Sequence, residues 1–228
     1  MQYFRGFSGM VIAYVFVVLL WIARTLRLFK VTNLKEAQQA IELGNVLFIC
    51  NHPSLLETIA IPSLFWPYPW QEKTRLVPYS VADINLFPIK WQIAFRLLVV
   101  SRENTAEATA INTKLPKNLR QILKSGGTVI FYPEGGRTYK GECFIQENGR
   151  RVRIPRHELV ALAAKWHTTI IPVWADHGDC SKLRKLWKSY WLLFSGRRMT
   201  ICFGKPFVGN VTPETVALAL LRAGRETG

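Results

Sequence analysis

Two short stretches of this 228-residue chain carry residue types that can do chemistry. In the first, Cys50-Asn51-His52-Pro53-Ser54-Leu55-Leu56-Glu57, a histidine and a carboxylate stand five positions apart, directly after an apolar run. A carboxylate on one ring nitrogen fixes the imidazole tautomer and lets the other nitrogen take a proton. In the second, Pro133-Glu134-Gly135-Gly136-Arg137-Thr138, the paired glycines let backbone N–H groups approach a ligand. Arg137 there offers a planar fork of donors suited to phosphate. Glu134 can accept from a hydroxyl of the same ligand or hold Arg137 in place. Each stretch also has a plainer reading: a turn histidine with a solvated acid, and a tight turn with a surface ion pair.

The spacing constrains the elements around them. On one helix, positions five apart point roughly 140° away from each other, so His52 and Glu57 cannot share a helical face and the chain must bend between them. Val46 to Cys50 is expected to be a buried strand, with Pro53 at the first helical position and a helix over 54–64. Glu57 then reaches back to the imidazole from early in that helix. The second stretch likewise follows a strand, Thr128 to Tyr132.

Further strands are expected over Leu76–Val81, Leu97–Ser101, Thr169–Trp174 (an edge strand or a strand end near a ligand cleft, because of Pro172) and Met199–Phe203. Helices are expected over Leu34–Glu42, Pro88–Phe95, from Pro116 to the Gly126-Gly127 stop, over His157–Trp166, and from Thr212-Pro213 to about Ala223. Arg102, just past the strand ending at Ser101, is placed for an anionic ligand, since α/β sheets bind ligands at that edge. This alternation predicts an α/β fold with a mainly parallel central sheet flanked by helices.

The chain has 30 Lys and Arg against 15 Asp and Glu, a net charge of +15, yet is 49% apolar with eight tryptophans. That excludes a disordered polyelectrolyte and implies a folded protein that meets something anionic. The basic residues are interleaved with Trp, Leu and Phe, and no zinc-finger or RNA-binding signature occurs, so an anionic phospholipid membrane is the expected partner and nucleic acid is not. The segment 150–156 is expected to form a basic face toward solvent or lipid, and 182–198 either an interfacial helix or hairpin on anionic lipid or a core helix with snorkelling lysines. Cys50, Cys143, Cys180 and Cys202 form no CxxC pair and are expected to be reduced thiols, with no metal site. Cys50 can be imagined as a nucleophile, but a strand cysteine is more simply packing.

Phe7 to Ala23 is almost wholly apolar and is followed by Arg24, Arg27 and Lys30. Its helical length of about 26 Å is marginal against a hydrocarbon core of about 30 Å, so the segment can span a bilayer or lie at its interface. The chain therefore divides, as an expectation, into a membrane-anchoring segment (1–32) and a catalytic-type domain (33–228). If the segment spans, the greater positive charge after the run places that domain on the cytoplasmic face.

In chain order, Asn51-His52 with an acid five residues on, Arg102, Phe131-Tyr132-Pro133-Glu134-Gly135-Gly136-Arg137 and Ile170-Ile171-Pro172-Val173 resemble the four blocks of the glycerolipid acyltransferase family, most of all its bacterial 1-acylglycerol-3-phosphate members. The resemblance implies a membrane-bound O-acyltransferase at the bacterial inner membrane. It would move a fatty acyl group from an acyl-CoA or acyl-ACP thioester, a co-substrate and the only small-molecule helper, to the hydroxyl of lysophosphatidate. Another lysophospholipid or a lipoamino acid acceptor, or a non-catalytic membrane-surface role, are the alternatives. His52 would be the base and Glu57 its acid, with Arg102, Glu134, Gly135, Gly136 and Arg137 on the acceptor. Glu57 stands where the family usually has Asp, and Gly136 where Thr is commoner.

Overall fold

A computed structural model describes residues 2–53, 56–66, 77–85, 89–134, 144–147, 149–155, 160–161, 166, 168–176, 199–209 and 211–226. Among the described residues seven strands form one sheet in the order β1-β9-β8-β2-β5-β3-β4. They are β1 (Phe29–Thr32), β2 (Val46–Cys50), β3 (Tyr79–Asp83), β4 (Leu97–Val100), β5 (Thr128–Phe131), β8 (Thr169–Asp176) and β9 (Met199–Phe203). β8, β2, β5, β3 and β4 run parallel, so their carboxyl ends share one edge; β9 and β1 run the other way. The mainly parallel α/β sheet expected from the alternation is present.

β2 lies at the centre and is buried throughout, which is why it reads as unbroken Val-Leu-Phe-Ile-Cys with no alternation. Val46, Phe48 and Cys50 pack with Leu56, Ile59, Phe65 and Phe203, whereas Leu47 and Ile49 pack on the opposite face with Leu119, Leu123, Val216 and Leu220. The first face is covered by α1 (Gln2–Thr25), α3 (Glu57–Leu64) and α4 (Ile89–Ala94), the second by α5 (Ala106–Lys124) and α6 (Pro213–Arg225). Helix α2 (Leu34–Leu43) links β1 to β2, and a hairpin, β6 (Phe144–Glu147) with β7 (Arg150–Arg153), lies against α6.

Several expectations shift on a local physical cause. The helix after His52 begins at Glu57, with Pro53 in a bend ahead of it. Helix α5 starts ten residues before the expected Pro116, because extended Thr105 caps it by accepting from the Ala108 N–H at 3.1 Å. Pro116 sits inside that helix. β8 is a central strand, not an edge, despite Pro172. Its Val173 carbonyl faces β2 and its Pro172 carbonyl faces β9, so the missing proline donor points toward β9. There β9 ends at Phe203 and resumes pairing at Phe207 opposite Ile170, one residue out of register, so it bulges past the proline. Gly204 makes the bulge possible, since a Cβ there would lie 2.8 Å from Pro172 Cγ and 3.0 Å from Ala223 Cβ.

Residues 150–155, the described part of the expected basic face 150–156, are not all turned to solvent or lipid. Val152 is fully buried, Arg225 pairs with Glu147, and Arg153 bonds the Glu134 carbonyl. The basic segment 182–198 and most of 157–166 lie outside the described residues.

The apolar N-terminal run does form a helix, but its spanning reading finds no support: among the described residues no helix is long and apolar enough to cross a membrane. One face of α1, Phe16, Leu20 and Ala23, is buried against α3 and α4, and the Phe16 ring meets Phe95 edge-on at 5.6 Å. Elsewhere on α1 Val15, Leu19, Trp21 and Ile22 are exposed, as is Leu26 just past its end. A cavity of about 480 Å³ lies between α1 and the end of α3, lined by Tyr14, Val18, Trp21, Leu64 and Trp66 with Arg24 among its walls.

Candidate functional site

The carboxyl edge of the parallel strands brings the two chemically equipped stretches together. β2 and β5 are neighbours, with Ile49 opposite Phe131, so His52 leaves one strand beside the turn that carries Glu134. His52 Nδ1 lies 2.7 Å from Glu57 Oε1, and the pair is secluded, Glu57 having no exposure and His52 only 7%. The bend at Pro53 makes this possible: the chain leaves the strand, turns, and enters α3 with Glu57 as its first residue. At a helix N-terminus the carboxylate also gains from the helix dipole. An ionised Glu57 only accepts, which puts the ring proton on Nδ1 and the lone pair on Nε2.

Residues beyond those singled out in the sequence hold this histidine. Asn51 Nδ2 donates to the Ala175 carbonyl at 2.9 Å while its Oδ1 accepts the Ala175 N–H at 2.7 Å. The buried amide thus extends the β2–β8 ladder past the end of the strand. On the other side, Glu134 Oε1 accepts the His52 backbone N–H at 3.3 Å. The Tyr132 ring lies against the imidazole, centroids 4.6 Å apart and planes at 37°. Asn51 and Tyr132 stood within the quoted stretches, but only strand pairing could assign them these contacts.

Burial pushes the Cys50 thiol well above its ordinary range, and the nearby Glu57 and Glu134 carboxylates push it further. The Tyr132 phenol is raised likewise, by burial first and then by Cys50 and Glu57. Cys50 is therefore a neutral packing group at neutral pH and has no thiolate to attack with.

Arg102 stands apart from the histidine. β4 is three strands from β2, about 14 Å at a spacing of about 4.8 Å. Its side chain leans back over β3, where Nε is 3.3 Å from Asp83 Oδ2, and it is largely exposed on the same sheet edge. Asp83 in turn accepts the Asn85 N–H at 3.0 Å. Gly135, Gly136 and Arg137 lie outside the described residues.

A parallel α/β sheet whose central strand delivers a carboxylate-held histidine to its carboxyl edge has the makings of a base-catalysed transfer enzyme. The family model described as acyltransferase matches residues 29–176, and the chain belongs to that family. It is an acyltransferase, an enzyme that transfers acyl groups. No curated protein matches the chain.

Proposed function

We propose that this acyltransferase moves a fatty acyl group from an acyl-CoA or acyl-ACP thioester to the free hydroxyl of lysophosphatidate, giving phosphatidate. The observation that carries the reading is the His52–Glu57 pair, 2.7 Å apart at the carboxyl edge within the matched domain. His52 Nε2 accepts the hydroxyl proton as the oxygen attacks the thioester carbonyl. The new C–O bond forms, the C–S bond breaks, and the thiolate leaves and takes up the proton from the imidazolium. Glu57 steadies that imidazolium through Nδ1. Arg102, on this edge, would meet the acceptor phosphate, and the roles the resemblance gives Gly135, Gly136 and Arg137 would be to bind it as well.

The place of work would be the cytoplasmic face of a bacterial inner membrane, with α1 lying at the interface. Its exposed Val15, Leu19, Trp21 and Ile22, the largely apolar cavity beside Arg24 and the net charge of +15 fit an anionic lipid surface. An interfacial helix needs only one apolar face, which is what α1 has to offer.

The test is an acceptor panel with the purified protein in detergent, wild type beside His52→Ala. Lysophosphatidate is expected to be acylated in preference to neutral lysophospholipids and lipoamino acids, and His52→Ala to lose the activity. Transfer to none of these acceptors would end the lysolipid reading. Full activity in His52→Ala would end the base mechanism.

A further inference from the structure

Glu134 stands in the turn whose glycines and arginine suit a phosphate, and the family resemblance assigns it to the acceptor. Its surroundings are those of a different job. The residue is 1% exposed, more secluded than His52 itself at 7%. Its Oε1 accepts the His52 backbone N–H at 3.3 Å, and its own carbonyl accepts from Arg153 Nη1 at 3.2 Å. An acidic acceptor would moreover be repelled by a carboxylate beside its phosphate.

Strand geometry explains why a side chain is needed at this point. The Asn51 N–H points toward β8, where it donates to the Val173 carbonyl at 3.3 Å. Alternation along the strand then turns the His52 N–H toward β5. Among the described residues the β2–β5 pairing ends at Ile49 and Phe131. Past that point Glu134 supplies a rung to the His52 N–H from its side chain, as Asn51 does on the β8 side. The residue that carries the imidazole is thereby held between two side-chain rungs, with the Tyr132 ring against it.

We infer that Glu134 is a positioning residue: it fixes the His52 backbone so that the imidazole meets Glu57 and substrate together, and it does not bind the acceptor. This rests on the reading of His52 as the general base. What the clamp needs from Glu134 is an acceptor oxygen, not a charge, and that separates it from a binding role. Glutamine keeps the oxygen and loses the charge; alanine loses both.

The experiment measures kcat and acceptor KM for the full chain in detergent micelles, with lysophosphatidate and a long-chain acyl-CoA. It compares wild type, Glu134→Ala, Glu134→Gln, Arg102→Ala, His52→Ala and the double variant His52→Ala/Glu134→Ala. Glu134→Ala is expected to lower kcat about 10- to 100-fold, the cost of a misplacement of about 1 Å, while acceptor KM stays within about twofold. Glu134→Gln should recover most of the lost kcat. The double variant should be no slower than His52→Ala alone, because a clamp acts only through the histidine.

A Glu134→Gln protein whose acceptor KM rises as far as that of Arg102→Ala would overturn the inference, as would a Glu134→Ala protein with wild-type kcat. If Glu134→Ala fails to fold, Glu134→Gln decides: an acceptor KM that stays put supports the clamp, and one that rises overturns it. Activity surviving in His52→Ala sinks the underlying base reading instead, a result separate from any pattern at Glu134.

Discussion

Replacing Glu57 by Asp tests the proposed catalytic pair most sharply, because the smaller acid keeps the charge and is the commoner residue in the resembling family. In this chain the acid is the first residue of α3, and its Oε1 lies 2.7 Å from His52 Nδ1. Aspartate withdraws the carboxylate by up to about 1.5 Å, one carbon–carbon bond, and opens the contact to about 4 Å, beyond hydrogen-bond reach. The packing allows little recovery, since Glu57, Ile59, Ala60 and Ile61 have no exposure and the helix cannot slide toward the histidine without opening the core. A hydrogen bond to a charged partner contributes about 1.5–3 kcal/mol, and a tenfold rate change corresponds to about 1.36 kcal/mol. The expected loss in kcat is therefore about 10- to 150-fold, with acceptor KM held, since only the transition state carries the imidazolium. Initial rates of labelled acyl transfer at saturating donor and varied lysophosphatidate measure both constants, and a thermal melt confirms the fold. A Glu57→Asp enzyme within about twofold of wild-type kcat would refute the reasoning, because the pair would then not depend on the extra methylene.

Three further outcomes follow from the packing around the site. Asn51→Asp keeps the bond from the Ala175 N–H but sets a carboxylate against the Ala175 carbonyl, so urea unfolding should show a loss of about 2–4 kcal/mol; an unchanged midpoint would remove Asn51 as a ladder rung. Gly204→Ala drives a Cβ into Pro172 and Ala223 and is expected to destabilise by about 1–3 kcal/mol in the same assay, whereas a neutral result would mean that the bulge has room to spare. The folded state holds the Cys50 proton more tightly than the unfolded chain. Its contribution is thus fully present below the ordinary thiol pKa of about 8.5 and is lost as pH rises above it. Cys50→Ala should flatten the fall in stability between neutral and alkaline pH, and an equally steep fall would show that other groups, Tyr132 among them, govern it.

Much of the fold was legible where local chemistry and burial agree. β2 announces itself because a strand covered on both faces must be apolar at every position, and α6 because Thr212-Pro213 is both a cap and a start. The starts of α3 and α5 were misplaced for a shared reason: a proline marked the expected first turn, while packing and the Thr105 cap settled where the turns form. Pro172 misled in the same way. Its missing donor suggested an edge, but a bulge in β9 beside Gly204 absorbs that defect inside the sheet.

By itself the chain of residues determined the strand-to-helix bend after Cys50 and the membership of His52 and Glu57 in one local unit, since four intervening residues, one of them a proline, leave few ways to arrange them. It also carried the family resemblance that the domain match then bore out in its general form. Only the tertiary structure decided what holds that unit. Asn51 with Ala175, Glu134 with the His52 backbone and Arg102 with Asp83 are contacts between separate strand ends. They exist because five parallel strands bring their carboxyl ends to one edge in the order β8-β2-β5-β3-β4. Strand order is set by which faces bury best against which helices, a property of the whole core that no short stretch of sequence contains.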